Sequence, residues 1–359
     1  MNHEFWRNKR VFVTGHTGFK GAWLSFWLQQ LGAGLTGYAL ATTSSPSLFD
    51  LLRLRTLMRS VEGDVRDLNH LKAAMAEARP EIVFHMAAQS LVRMSYLDPV
   101  YTYSTNVMGT ANVLEAVREV GGVRGVVNVT SDKCYQNRGQ GLGYRESDAL
   151  GGRDPYSSSK ACAELITAAY RDSFFSEASK SGPIVAVASA RAGNVLGGGD
   201  WAKDRLIPDS IRALSRQVPI PIRNLNAVRP WQHVLEPLRG YLLLAEKLWC
   251  HGAEFAEGWN FGPGDANAKP VSWVVERLVN LWGPDASWIP DVGEHPHEAQ
   301  YLKLDSTKAK ARLQWVCRLD IDQTIEWAVK WYRAFHAGED PVQLTLSEIT
   351  RYSAMGQES

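Results

Sequence analysis

The chain has 359 residues, of which 45% are hydrophobic, 21% charged and 10% aromatic, a globular composition that excludes a disordered or fibrous chain. Thirty-nine Lys and Arg stand against 38 Asp and Glu, a formal net charge of +1, so no basic excess points to nucleic acid or an anionic membrane surface. No apolar run approaches the roughly 18 residues of a membrane span, and Met1-Asn2-His3-Glu4-Phe5 lacks the basic-then-apolar pattern of a leader. The expectation is a cytoplasmic protein of about two domains, or one large α/β unit with an appended lobe. The cysteines, Cys134, Cys162, Cys250 and Cys317, form no C-x-x-C pair, which argues against a disulfide framework or zinc site.

In chain order, residues 9–15 predict a buried strand, and 22–28 a helix that ends near Gly32. Residues 34–40 predict a second strand, and a third closes at Val61. Residues 67–78 read as an amphipathic helix and 81–86 as another buried strand. Asp98-Pro99 opens a helix to about Val120, and 123–130 is a further strand. Pro155 opens a helix to about Phe175, followed by a strand at 184–191. Continuous apolar strands alternating with helices predict a parallel sheet covered on both faces. Right-handed crossovers make it a doubly wound Rossmann sheet, with residues 1–191 as the dinucleotide-binding domain. Beyond 192 the alternation degrades, broken by Pro219, Pro221, Pro230, Pro263 and Pro270. Residues 192–231 and 263–359 are expected to form a smaller α/β substrate lobe, while 232–262, with Trp259-Asn260-Phe261, returns to the first domain.

Thr14-Gly15-His16-Thr17-Gly18-Phe19-Lys20-Gly21 lies between the first strand and the first helix. Glycines at 15, 18 and 21 permit a tight turn, close approach of backbone to a pyrophosphate, and helix–strand packing, with helix N–H groups facing the anion. The second strand ends Gly37-Tyr38-Ala39-Leu40-Ala41 and runs into Thr42-Thr43-Ser44-Ser45. It offers neither an acid for the ribose of NAD nor an Arg for the 2′-phosphate of NADP, so this stretch leaves the choice open. Asp64, in Gly63-Asp64-Val65, either meets the adenine amino group or belongs to a surface turn.

Tyr156-Ser157-Ser158-Ser159-Lys160 opens a helix, and the spacing of four places the phenol and the ammonium on one face. A cation beside a phenol favours the phenolate and makes Tyr a usable base. Thr130-Ser131-Asp132-Lys133 ends the 123–130 strand, where ligands bind in open α/β sheets. A hydroxyl, a carboxyl and an ammonium there suit acid–base chemistry. Glu294-His295-Pro296-His297-Glu298 holds two histidines but no third ligand at useful spacing, so no metal is expected.

These residues, with Asn106 and Arg191-Ala192-Gly193-Asn194-Val195, resemble the extended short-chain dehydrogenase/reductases over nearly the whole chain. Within them the chain is similar to the sugar-nucleotide 4,6-dehydratases, on Gly15–Gly21, His85-Met86-Ala87-Ala88-Gln89, Ser131-Asp132-Lys133-Cys134-Tyr135 and Arg229-Pro230-Trp231-Gln232-His233-Val234. The resemblance implies NAD as cofactor and a nucleotide sugar, CDP-glucose, as substrate. It implies cofactor contacts from Gly15, His16, Thr17, Gly18, Phe19, Lys20, Gly21, Asp64, Ala87, Gln89, Asn106, Tyr156 and Lys160. Ser131, Asp132, Lys133, Tyr156 and Lys160 would be catalytic, with Asn194, Arg205 and Arg229 on the substrate. The dTDP-glucose branch carries Thr-Asp-Glu where this chain has Ser131-Asp132-Lys133, and that Glu is implicated in removing the C5 proton. Lys133, which matches the CDP branch, either takes the C5 proton when neutral or stabilises the enolate when charged.

The helices at about 98–119 and 155–175 match those through which members of the family pair into homodimers, and a homotetramer rests on the same analogy. An epimerase or simple reductase is the nearest rival, but neither must expel water, the task for which Asp132-Lys133 is suited. A non-catalytic dinucleotide-binding protein would be expected to lose Tyr156 or Lys160, and a serine hydrolase lacks its G-x-S-x-G elbow.

Overall fold

Seven parallel strands build the central sheet of the computed structural model, which describes residues 2–42, 44–139, 141–176, 184–293 and 301–355. In chain order the elements begin with β1 (Arg10–Thr14), α1 (Phe19–Gln30), β2 (Gly34–Ala39), β3 (Arg59–Glu62), α2 (Leu68–Ala78) and β4 (Ile82–His85). Next come α3 (Val92–Leu97), α4 (Pro99–Tyr103), a π turn at Ser104–Met108, α5 (Gly109–Val120), β5 (Gly125–Val129), α6 (Pro155–Phe174) and β6 (Ala186–Ala192). The remainder contributes β7 (Val195–Leu196), α7 (Leu206–Ser215), β8 (Ile220–Ile222), β9 (Val228–Pro230), β10 (Gln232–His233), α8 (Leu235–His251) and β11 (Gly258–Phe261). It closes with β12 (Ala268–Pro270), α9 (Val271–Trp282), β13 (Trp288–Pro290), α10 (Ile321–His336) and α11 (Pro341–Ala354).

The sheet runs β11-β6-β5-β4-β1-β2-β3, every neighbour parallel. The order reverses between β1 and β4, which opens a crevice at the carboxyl ends there. Every residue of β4, β5 and β6 is buried, as strands covered on both faces must be. Trp259-Asn260-Phe261 joins this sheet through β11, paired with β6. Outside it, β8 pairs with β13 and β7 with β10 in parallel, and β9 pairs with β12 antiparallel.

Local chemistry fixes the elements that frame the crevice. Gly32, at φ 79°, takes the left-handed turn that ends α1. Asp98 accepts from Tyr101 N and Asp154 from Ser157 N, each ahead of a proline in the first turn. The helix predicted from Asp98-Pro99 to Val120 is continuous but contains the π turn, a feature that side-chain periodicity does not announce. Helix α3, before Asp98, was not predicted.

One apolar cluster joins Trp23, Phe84 and Val127 around the sheet to Leu238, Trp327 and Ile349 in the later helices. A smaller one, with Phe12, Leu71, Val126 and Val187, includes residues of the other face. Helix α11 is tied down by the buried Glu236, which accepts from the Tyr352 hydroxyl at 2.6 Å and from Arg318 N and Leu319 N at 2.8 Å each. Among the described residues no helix is long and apolar enough to cross a membrane.

Candidate active site

A cleft of about 1030 Å³ opens at the carboxyl ends of the strands, large enough for a dinucleotide with a second ligand beside it. Gly15, Thr17, Gly18, Phe19, Lys20 and Gly21 line it at the start of α1. A Cβ on Gly15 would stand 2.7 Å from Ala87 N, so only glycine lets the loop seat against the strand that follows β4. Gly18 caps α1 without a side chain, and its Cβ would meet only Gly15 O, at 3.4 Å. The N-terminus of α1 thus has no side-chain cap and turns its backbone N–H groups to the crevice, a fit for a pyrophosphate. Asp64 lines the same cleft and is held below the usual carboxylate range by its hydrogen bonds from Arg66.

Three expected cofactor residues stand elsewhere. His16 is fully buried beneath the loop, its Nε2 2.7 Å from Ser60 Oγ and its ring against Gly37, where a Cβ would meet it at 2.3 Å. Burial and the Arg55 charge pull its imidazole down to about 4. Asn106, in the π turn, accepts from Gln89 N at 2.8 Å and donates to Gln89 O and Ser159 Oγ at 3.0 and 2.9 Å. The Gln89 amide donates to Leu91 O and Thr102 Oγ1. None of these three side chains lines the cleft; they brace its wall.

On the opposite wall, β5 delivers Ser131 into a short 3₁₀ turn, Asp132–Cys134. The Ser131 hydroxyl donates to Asp132 Oδ1 at 2.9 Å and accepts from Lys133 N at 3.2 Å. Asp132 Oδ2 is buried without a hydrogen-bond partner. Burial raises this carboxyl above its usual range, against the Lys133 charge, the Ser131 bond and the Arg229 charge. Lys133 Nζ sits 6.0 Å from the centre of the Tyr156 ring. The Tyr156 phenol is pushed by burial up to about 12, with a Ser131 hydrogen bond and the Arg205 charge acting the other way. Lys160 is buried, its Nζ 3.4 Å from Val129 O, and burial draws it down to about 8 against the pull of Glu164. The structure therefore brings all five expected catalytic residues to one wall.

Asn194, Arg205 and Arg229 line the cleft as well. Arg205 donates to Asp200 Oδ2 at 2.9 Å and to Ser90 Oγ at 3.0 Å, linking the two sides of the cleft. Two contacts there have no local signal in the sequence. Lys20 Nζ donates to the Tyr241 hydroxyl at 2.9 Å, and burial with the Lys160 and Arg205 charges pulls the amine down to about 7. Asp204 sits within 3.0 Å of Arg93 and 3.5 Å of Arg223, a bridge across the cleft mouth. Residue separations of 221 and 111 hide such pairs from any spacing rule. Among the described residues no group of three His, Cys, Asp or Glu is placed to hold a metal; His295 and His297 lie outside them.

The GDP-mannose 4,6 dehydratase family profile matches residues 12–327. The chain is 55% identical to CDP-glucose 4,6-dehydratase of Salmonella typhimurium over 352 residues, 98% of each chain. It is 27% identical to a probable dTDP-glucose 4,6-dehydratase of Sinorhizobium fredii, over 90% of this chain and 92% of that one. Among solved structures, MoeE5 in complex with UDP-glucose and NAD superposes with a TM-score of 0.74 at 25% identity, covering 91% of this chain and 99% of that one. UDP-glucose 4-epimerase of Thermotoga maritima superposes with a TM-score of 0.77 at 21% identity over 91% and 99%, a likeness of fold. A profile spanning most of the chain and a relative matched end to end place this chain in the family of sugar-nucleotide 4,6-dehydratases.

Proposed function

We infer that the chain is a CDP-glucose 4,6-dehydratase, an NAD-dependent hydro-lyase that forms CDP-4-keto-6-deoxyglucose. The observation that carries the reading is the buried Asp132 carboxyl, its Oδ2 without a hydrogen-bond partner, beside Lys133 and Tyr156 in a cleft with a phosphate loop. End-to-end identity of 55% to a CDP-glucose enzyme supports the nucleotide.

The uncapped N-terminus of α1 fits the NAD pyrophosphate. When bound, NAD supplies the hydride acceptor for C4 and the hydride that returns to C6. The rest falls to side chains. Tyr156 takes the proton of the 4-hydroxyl, and Lys160 and Ser131 favour its phenolate. Burial pushes the phenol up to about 12, so a cation on the same helix face matters to the step. Oxidation at C4 acidifies C5–H, and Lys133 removes that proton or stabilises the enolate. Asp132, whose carboxyl burial raises above its usual range, gives a proton to the departing 6-hydroxyl when it is protonated. Arg229, Arg205 and Asn194 hold the sugar nucleotide, its diphosphate meeting the two guanidinium groups.

We place the division of labour at 1–191 with 232–262 for the cofactor, and 192–231 with 263–359 for the substrate. Leu97, Val100, Met108 and Leu165 are each more than half exposed on α3, α4, the π turn and α6. We propose this apolar face as the homodimer contact, with a tetramer built from such pairs, and the cytoplasm as the site of action in deoxysugar synthesis for O-antigen.

The test is incubation with CDP-glucose and NAD while alkaline ketosugar absorbance and NADH are followed together. Ketosugar without NADH accumulation establishes internal redox. NADH growing in step with product means a simple dehydrogenase and removes the roles of Asp132 and Lys133.

A further inference from the structure

Behind the reactive wall lies a buried ion pair that touches neither the cleft nor solvent. Arg191 on β6 donates to Glu164 Oε2 at 2.7 Å, the two side chains being 6% and 3% exposed. Ser189, also on β6, donates to the same oxygen at 2.5 Å. Thr130 donates to Glu164 Oε1 at 2.5 Å. Both carboxylate oxygens are therefore filled from the two strands that carry the reactive wall.

Glu164 lies one turn beyond Lys160 on α6, as Lys160 lies one turn beyond Tyr156, so the three share a helix face. Lys160 and Glu164 grip consecutive residues of the strand end: Lys160 Nζ reaches Val129 O, and Glu164 takes the Thr130 hydroxyl. The next residue is Ser131. A buried ion pair contributes little net stability compared with an apolar pair of the same shape, so stability alone does not account for one here.

We propose that Glu164 is a positioning residue: held by Arg191, Ser189 and Thr130, it fixes α6 against the end of β5 and keeps Lys160 charged beside Tyr156. This rests on the roles given above to Tyr156 and Lys160. The charged and titratable groups around the lysine are Glu164 on α6, Cys134 in the 3₁₀ turn, His85 on β4 and Lys20 on α1. Of these, Glu164 favours the ammonium most strongly, and burial opposes it. Glu164 itself stays ionised: burial pushes its carboxyl up, but the Arg191 charge and the three hydrogen bonds outweigh it.

The test compares pH profiles of CDP-glucose turnover, with NAD saturating, for the parent and two variants. The first carries Glu164→Gln with Arg191→Met, removing both charges together so that neither is left alone in the core. The second is Thr130→Val, which keeps the ion pair and removes one bond to it. In the double variant the alkaline limb set by Lys160 is expected to move down by about one pH unit. Its kcat near pH 8 should fall about fivefold, with KM within about threefold of the parent. Thr130→Val should show a smaller change in the same direction. Variants with parent-like circular dichroism, limb and kcat would overturn the proposal, and if the double variant does not fold, Thr130→Val alone decides. A parent that does not turn over CDP-glucose would sink the reading of the reaction instead, which separates the two failures.

Discussion

A methyl group on Gly193 would stand 2.9 Å from Asp132 Oδ2. The end of β6 thus presses bare backbone against the carboxyl oxygen that has no hydrogen-bond partner. The close approach of that backbone leaves no room for a side chain beside the carboxyl, whose burial raises it above its usual range. Gly193→Ala should therefore displace Asp132 and slow ketosugar formation by about tenfold to a hundredfold, the effect of 1–3 kcal/mol of overpacking at the reacting group. Steady-state rates checked against an unchanged melting temperature would show it; parent-like rates would mean that the contact has no part in water loss.

Asp132→Asn keeps the shape and removes the acid. Oxidation at C4 should persist while expulsion of the 6-hydroxyl slows by about 10²–10⁴, so a burst of NADH should appear without ketodeoxysugar. Stopped-flow absorbance decides this, and undiminished dehydration would end the acid role.

Tyr156→Phe removes the proton acceptor for the 4-hydroxyl. Turnover should fall by about 10²–10⁴ with a parent-like melting curve. Activity within a few-fold of the parent would take Tyr156 out of the mechanism.

Lys133→Met tests the part of Lys133 at C5. Whether the amine removes the C5 proton or stabilises the enolate, deuterium exchange at C5 in heavy water should slow at least tenfold, about 1.4 kcal/mol. Normal exchange would take Lys133 out of the C5 step.

His16 and His85 should remain neutral well below the ordinary histidine range. Burial and nearby cations lower them to about 4 and about 3. The unfolded chain binds these protons near pH 6.5 and the folded chain does not, so the stability tied to both is present above pH 6.5 and lost as pH falls toward the folded values. NMR titration, assigned with His16→Asn and His85→Asn, should show two imidazoles unmoved between pH 7 and 5; either ring titrating near 6.5 would contradict the packing.

Local signals carried most of this site. Each strand of the cofactor half is a short apolar run between turn residues, and Gly15, Gly18 and Gly21 stand where the chain turns from strand to helix. Tyr156 and Lys160 are read from helical spacing together with the dinucleotide loop that precedes them, and Ser131 to Lys133 from their place at a strand end. The direction of a side chain was the hidden part. His16 sits between two cleft-lining neighbours yet turns under the loop into space left by Gly37, a residue 21 positions away whose lack of a Cβ is meaningful only once β1 and β2 pair. Asn106 braces Gln89 because a π turn rotates it off the regular helical face. Glu164 reads from sequence as one more polar helix residue, and its meaning comes from Arg191, 27 residues on.

The apolar cluster that runs from the central sheet into α10 and α11 also bears on how ligands come and go. Swinging the late helices away from the sheet would expose Trp327, Ile349 and their neighbours to water, at roughly 25 cal/mol for each Å² uncovered. That is a heavy toll for each catalytic cycle. The two halves of the cleft are better viewed as walls of a fixed room, joined across it by the Arg93–Asp204–Arg223 bridge and the Arg205–Ser90 contact. Unlike a buried apolar seam, these polar contacts have water waiting to replace each bond they release.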